Sequence, residues 1–188
     1  MEPGLRLVEQ AGATLMTGSI RIVQEGSGHV DTVDVEIAFP RDYPSIEPKI
    51  RETGGRFEAD SDRHIGPKER YFCLWIPEES KWNPGDPDSI LTWFYEVVVF
   101  IQRQLAYEVL GEWTGPERRH GDDGRIDYLM EKTGCDITTA QQAMTIYNGG
   151  QGAIGRKSLC PCGSGKSWEK CHRATVTATV SLLSRRSQ

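Results

Sequence analysis

The order of local patterns along the chain predicts an α+β fold: an antiparallel β-meander packed on helices, followed by a small C-terminal metal module. Three observations carry this. Partly alternating, β-branched segments fill the first third of the chain, helical periodicity takes over after residue 88, and three of the five cysteines crowd into the last thirty residues. Strands in a run followed by helices in a run mark an α+β arrangement rather than alternating β-α units.

Taken in order, Gly12 to Val23 (GATLMTGSIRIV) and His29 to Phe39 (HVDTVDVEIAF) read as two strands joined by the Gly-bearing turn QEGSG, a hairpin signal. A further strand is predicted over Pro48 to Glu52, and Pro40, Pro44 and Pro48 forbid regular helix in the connection leading to it. YFCLWI reads as a short strand or an extended loop edge, and PEESKWNPGDPD as a surface loop punctuated by prolines. The run after Asp88 is the clearest helix: an acidic N-cap candidate opens it, Ile90, Phe94, Val97, Ile101 and Leu105 recur at helical spacing, and Gly111 closes it. That helix is expected to pack under the sheet. RIDYLMEKTG and DITTAQQAMTIYNGG predict two shorter helices, the second capped by Asp136 or Thr138. The Gly-rich stretch after it reads as a linker.

These readings divide the chain into a main domain over 1–150, a linker over 151–157, a metal motif over 158–174 and a basic tail over 175–188. No apolar run is long enough to span a membrane and the N-terminus lacks a signal-peptide pattern, so a cytoplasmic protein with no membrane partner is expected. The net charge of −5 hides an asymmetry, because from Arg156 onward seven Lys and Arg face one Glu. The acidic body argues against nucleic acid as a partner, and the basic end reads as a solvated terminus or a non-specific contact for an acidic partner or nucleic acid.

CPCGSGKSWEKCH places Cys160, Cys162, Cys171 and His172 in the spacing C-x-C-x8-C-H. Zinc takes four thiolate or imidazole ligands in a tetrahedron, and the Gly-Ser-Gly turn lets two close ligand pairs fold around one ion. So short a segment buries little by itself, which leaves the metal to supply its folding energy. The stretch resembles the SEC-C zinc-binding motif, named from the C-terminus of the secretion ATPase SecA. The resemblance implies structural zinc, with no coordination position left open for catalysis.

Cys73 poses the second question. It sits between an aromatic pair and Leu-Trp, with Lys68 and Arg70 upstream and His64 as the local base candidate. From these residues alone a buried structural cysteine is a better reading than a nucleophile. The surrounding blocks are more specific. FPRDYPSIEPKI, then His64, then CLWIPEESKWNP and a long apolar helix resemble the core of a ubiquitin-conjugating enzyme over roughly residues 12–110. Phe39, Pro40, Tyr43, Pro44, Pro48 and Lys49 fall on the family's first block, Cys73 and Leu74 on its catalytic pair, and Trp82 with Pro84 on its last.

That resemblance implies a UBC-like fold whose Cys73 accepts a ubiquitin-like protein as a thioester, delivered by an activating enzyme, and passes it to an amine. His64 would be a turn residue of the site, while Trp82, Asn83 and His120 are candidates for binding the partner. The departures are specific. The family's His-Pro-Asn turn reads His64-Ile65-Gly66 here, so its oxyanion asparagine is missing, with Asn83, Asn148 or backbone N–H groups as substitutes. The family's N-terminal helix is also absent from the pattern.

EWTGPERRHGDDG resembles a segment of bacterial ubiquitin-conjugating-like proteins of anti-phage systems such as CBASS, which implies a cGAS-like nucleotidyltransferase as an alternative partner. Two further readings stand beside the enzyme: a non-catalytic UBC-like adaptor docking a partner through its zinc module, and a cysteine hydrolase built on Cys73 and His64. The hydrolase lacks a recognisable orienting residue. Cys135 is expected to pack as a small apolar residue.

Overall fold

Alternation of apolar and polar residues with period two builds the N-terminal sheet, because Val33, Val35 and Ile37 all turn inward while their neighbours face out. In a computed structural model that describes residues 4–10, 13–23, 28, 30–149 and 154–184, this sheet has four antiparallel strands in the order β1-β2-β3-β4. They are β1 (Leu5–Gln10), β2 (Ala13–Val23), β3 (Val30–Phe39) and β4 (Lys49–Glu52). Ile20 lies opposite Val33 and Ile37 opposite Ile50, which aligns the inward faces. The meander is the one expected, with one strand more: LRLVEQ is short and half polar, and it becomes a strand by pairing along β2. The predicted hairpin turn lies outside the described residues except for Gly28.

Helix α1 (Ser89–Leu110) follows, burying Trp93, Val97, Phe100, Ile101 and Leu105 on one stripe. Gly111 ends it in the left-handed conformation, φ 74°, with its N–H on the Tyr107 carbonyl. Its start differs from expectation. Asp88 has helical backbone angles and makes no side-chain cap; its N–H instead binds the Asp86 carboxylate at 3.0 Å. Helix α2 (Asp122–Thr133) begins three residues before the predicted segment, because Gly124 belongs inside it. A Cβ at that position would lie 1.9 Å from the Arg119 carbonyl oxygen, so only glycine admits this close approach. Helix α3 (Ile137–Tyr147) starts where expected, with Asp136 accepting the Thr139 N–H at 2.8 Å.

The C-terminal end corrects the sequence reading most. Residues 173–184, expected within a metal motif and a basic tail, form helix α4 (Arg173–Ser184), with Val176, Thr179 and Leu183 buried on one face. β-branched residues disguised it: Thr177 and Thr179 are poor helix formers, and their hydroxyls bond back to the carbonyls of Arg173 and Thr175. Residues 185–188 of the tail lie outside the description.

The chain divides into two compact units, and the division is not the one that composition suggests. The first comprises residues 1–74 and 81–117, the second 75–80 and 118–188. The predicted linker, described over 154–157, therefore lies inside the second unit. So does the metal motif, because Cys160 and Trp168 are buried in one core with Ile126 and Leu129 of α2, Ala140 and Met144 of α3, and Val176 and Leu183 of α4. Packing shares with any metal the work of ordering this segment.

The second unit also captures the short segment that follows Cys73 and Leu74. Ile76 packs on the helical core, and a 3-10 turn over Pro77–Glu79 places Glu78 with only 1% of its surface exposed. The Arg125 guanidinium neutralises Glu78, its Nε donating at 2.8 Å and a second nitrogen reaching the same oxygen, while it stacks over Tyr147 at 4.6 Å. Arg118 holds Glu79 through two bonds of 2.7 and 2.6 Å. Removing one member of a buried ion pair strands the other charge. Arg125→Met is therefore expected to destabilise the helical unit by about 3–5 kcal/mol, and Glu78→Leu in the same chain to restore part of the loss. Urea titrations followed by far-UV circular dichroism check both.

Candidate functional site

Cys73 ends the return strand of a small hairpin built on the edge of the sheet. Phe72 N–H binds the Ile50 carbonyl of β4 at 2.8 Å and Tyr71 pairs with Arg51, which extends the sheet beyond β4. On the other side Gly66 N–H binds the Tyr71 carbonyl at 3.0 Å, Ile65 pairs with Phe72, and Cys73 N–H binds the His64 carbonyl at 2.8 Å. His64 and Arg70, at φ 55° and 61°, turn the chain at the two ends of this loop. Such angles are uncommon outside glycine and cost free energy, which the surrounding bonds must offset.

Period-two geometry then sends neighbouring side chains to opposite faces. Phe72 points inward and stacks on Phe100 of α1 at 4.5 Å, and Phe100 continues to Trp113 at 5.7 Å. Cys73 is consequently exposed. Although the residue reaches the surface, the protein atoms around it desolvate the thiol and push its pKa up from the ordinary cysteine value.

The His64 ring packs against Trp113 at 4.6 Å, completing the aromatic row beneath the hairpin. The preceding residue fastens this loop to α1: the buried Gln104 amide accepts from Arg63 Nε at 3.1 Å and donates to the Arg63 carbonyl at 2.5 Å. Cys73 and His64 are thus brought together through the backbone, with the imidazole held as a packing element. Trp113, Arg63 and Gln104 were not singled out from the sequence. An isolated Arg and a Gln on a helix carry no signal until the fold faces them.

Trp82 joins the proline-rich crossing, its Nε1–H donating to the Pro44 carbonyl at 2.8 Å and its ring lying 5.7 Å from Tyr43, which in turn meets Phe39 edge-on at 5.2 Å. Sequence blocks about forty residues apart therefore meet in one unit. Asn83 uses its side-chain oxygen to accept the Gly85 N–H at 3.1 Å, and its own N–H binds the Ser89 hydroxyl at 2.7 Å. Its carboxamide oxygen shapes the turn into α1. His120 lies exposed in the second unit, just before Gly121 at the start of α2.

The four predicted metal ligands converge. One donor atom from each of Cys160, Cys162, Cys171 and His172 falls within 4.8 Å of all the others. Cys160 Sγ is 3.2 Å from His172 Nδ1, Cys171 Sγ is 3.5 Å from the same nitrogen, and Cys162 and Cys171 sulfurs are 3.6 Å apart. Zinc–sulfur bonds of about 2.3 Å and zinc–nitrogen bonds of about 2.0–2.1 Å make tetrahedron edges of roughly 3.5–3.8 Å, so this donor set fits the ion in kind and in spacing. The Cys162 thiol is drawn down to about 6, chiefly by the Ser164 hydroxyl and N–H.

Local structure explains the convergence. Gly163 and Gly165, at φ 76° and 71°, turn the chain between the ligand pairs. A bond of 2.9 Å from Cys160 N–H to the Lys166 carbonyl closes the loop. A 3-10 turn over Trp168–Lys170 then delivers Cys171 and His172. Asp136, which the sequence marked only as a helix cap, adds a carboxylate: its Oδ2 is 3.4 Å from His172 Nε2. The Thr139 N–H holds the Asp136 carboxyl below the usual carboxylate range.

Comparison with known proteins agrees with the C-terminal reading. The SEC-C motif matches residues 156–174. A protein translocase subunit SecA from Solibacter usitatus (strain Ellin6076) is 29% identical over 144 residues, which take in 72% of this chain and 14% of that subunit. A solved structure, the yeast vps23 UEV domain in complex with a vps27 PSDP peptide, aligns with 62% of this chain and 72% of its own at 15% identity and a TM-score of 0.34. None of the described helices is long and apolar enough to cross a membrane.

Two outcomes are expected. Cobalt(II) added to the metal-free chain should give thiolate-to-cobalt charge transfer and tetrahedral d–d bands, both weakened in Cys162→Ser, as absorption spectra would record. Alkylation of Cys73 at neutral pH should be slower in the folded chain than in the urea-unfolded one, because raising the thiol pKa lowers the thiolate fraction. Its rate should climb with pH through a midpoint higher than that of the unfolded chain. Peptide mass spectrometry resolves Cys73 from the other four cysteines.

Proposed function

We propose that the first unit is a UBC-like domain carrying an acyl group as a thioester on Cys73, and that the second unit is a zinc-stabilised module for docking a partner. The observation that carries this reading is the meeting of the two flanking sequence blocks at Trp82 and Pro44, in a unit that leaves the Cys73 residue exposed on a rigid hairpin. Together with the family resemblance of those blocks, it supports an open shelf that a flexible C-terminal tail can reach.

In the proposed reaction the Cys73 sulfur attacks a thioester carbonyl on a loaded carrier, and the carrier's thiol leaves with the proton that Cys73 gave up. An amine then attacks the new thioester, forming an amide and releasing the Cys73 thiol. Neither step needs a nucleotide. Both need an oxyanion stabiliser, for which backbone N–H groups near the hairpin and the Asn83 side-chain NH2, oriented by the Gly85 N–H on its carboxamide oxygen, are the candidates. The cargo is a ubiquitin-like protein supplied by an activating enzyme or the C-terminus of a cGAS-like nucleotidyltransferase, in a cytoplasmic anti-phage system.

A second reading has its own support. The raised thiol and the packing of His64 on Trp113 suit a non-catalytic UBC-like adaptor, in which Cys73 is a surface residue without turnover. Intact-mass spectrometry of the protein isolated from its host separates the two. The enzyme reading expects a reducible adduct on the parent chain, none of that kind on Cys73→Ala, and a stable amide-linked adduct on Cys73→Lys. An identical mass profile for all three, with the partner proteins expressed, would establish the adaptor.

A further inference from the structure

A metal-bound imidazole has one nitrogen on the ion and one left over, and what the second nitrogen meets fixes the ring's tautomer and tilt. In this protein Nδ1 of His172 faces the thiols of Cys160 and Cys171, so Nε2 is the nitrogen left over. The residue facing it lies far upstream and outside the motif: Asp136, with Oδ2 at 3.4 Å. Its other oxygen is engaged, accepting the Thr139 N–H at 2.8 Å as the N-cap of α3.

His172 has a comparable place at the head of α4, where its carbonyl accepts the Val176 N–H at 2.9 Å. The starts of two helices that share one core therefore come together at this carboxylate and this imidazole. The positive ends of both helices favour an anion there. The cap requirement of α3 fixes where the carboxylate stands, independently of any metal.

We propose that Asp136 is a positioning residue for the metal centre: it accepts a hydrogen bond from the Nε2–H of His172, selects Nδ1 as the ligand nitrogen, and ties the metal loop to the start of α3. The inference rests on the reading of the four-residue cluster as a zinc site. It adds to the SEC-C segment a residue that lies outside its own nineteen, 156–174.

The test exploits the double duty of Asp136. Serine and asparagine cap helices about as well as aspartate, so a capping role alone predicts equal zinc affinity for the parent, Asp136→Asn and Asp136→Ser. A positioning role predicts a graded loss. Asparagine keeps a neutral acceptor of the same length, whereas serine is too short to reach Nε2. Competition of the full-length chain with a chromophoric zinc chelator is expected to show Asp136→Ser binding zinc about 10–100-fold more weakly, with Asp136→Asn in between and helical circular dichroism unchanged in the zinc-loaded proteins.

Long-range nitrogen–proton NMR of the zinc-loaded parent needs no variant and should show Nδ1 coordinated and Nε2 protonated. Equal affinity across the three proteins overturns the proposal, and so does a spectrum with Nε2 on the metal. Failure of the parent itself to bind zinc would instead overturn the reading of the cluster as a zinc site.

Discussion

Three thiols and an imidazole drawn to one point are the constraint on which the C-terminal half of the protein depends. A cluster of this kind on a buried apolar core makes poor use of its polar atoms unless a cation satisfies them. Here the same residues do both jobs. Cys160 is a metal-ligand candidate and a core residue, and Trp168, between the two ligand pairs, is 5% exposed within the core formed by α2, α3 and α4. Metal binding at this cluster would therefore be coupled to helix packing, and the loop is no independent appendage.

The thiol of the first unit depends on a different physical device. Desolvation pushes the pKa of the Cys73 thiol up, and the hairpin gives it position, through a backbone bond to His64 and an inward neighbour, Phe72, stacked on α1. In the proposed acyl carrier such a thiol on a rigid hairpin would gain from orientation rather than from activation, with the partner bringing its own leaving group. The two left-handed residues, His64 and Arg70, are where that rigidity is obtained at a backbone cost.

Charge pairing then decides which segment belongs to which unit. Residues 75–80 leave the hairpin immediately after Cys73 and Leu74 and are claimed by the helical unit through Ile76, Glu78 and Glu79. A carboxylate as enclosed as Glu78 needs its charge compensated, and Arg125 meets it with two nitrogens. This crossing ties the loop after the thiol to the unit that bears the metal ligands. Neither composition nor spacing announces it.

Much was legible before any coordinates. Alternation in VDVEIAF, helical spacing from Val97 to Leu105, the Gly111 stop, the Asp136 cap and the ligand spacing from Cys160 to His172 are local signals, set by backbone geometry and by the few atoms on each side chain. They determined the meander, α1, α3 and the donor cluster. The tertiary structure alone decided the rest: α4, which its threonines concealed; the inclusion of the metal loop in a helical core; the pairing of Arg63 with Gln104 and of Glu78 with Arg125; and the second role of Asp136. Each of these joins residues whose meaning is absent from their own neighbourhoods. A buried charge or a bare imidazole nitrogen acquires its partner only when folding removes water, and the partner it then needs can come from anywhere in the chain.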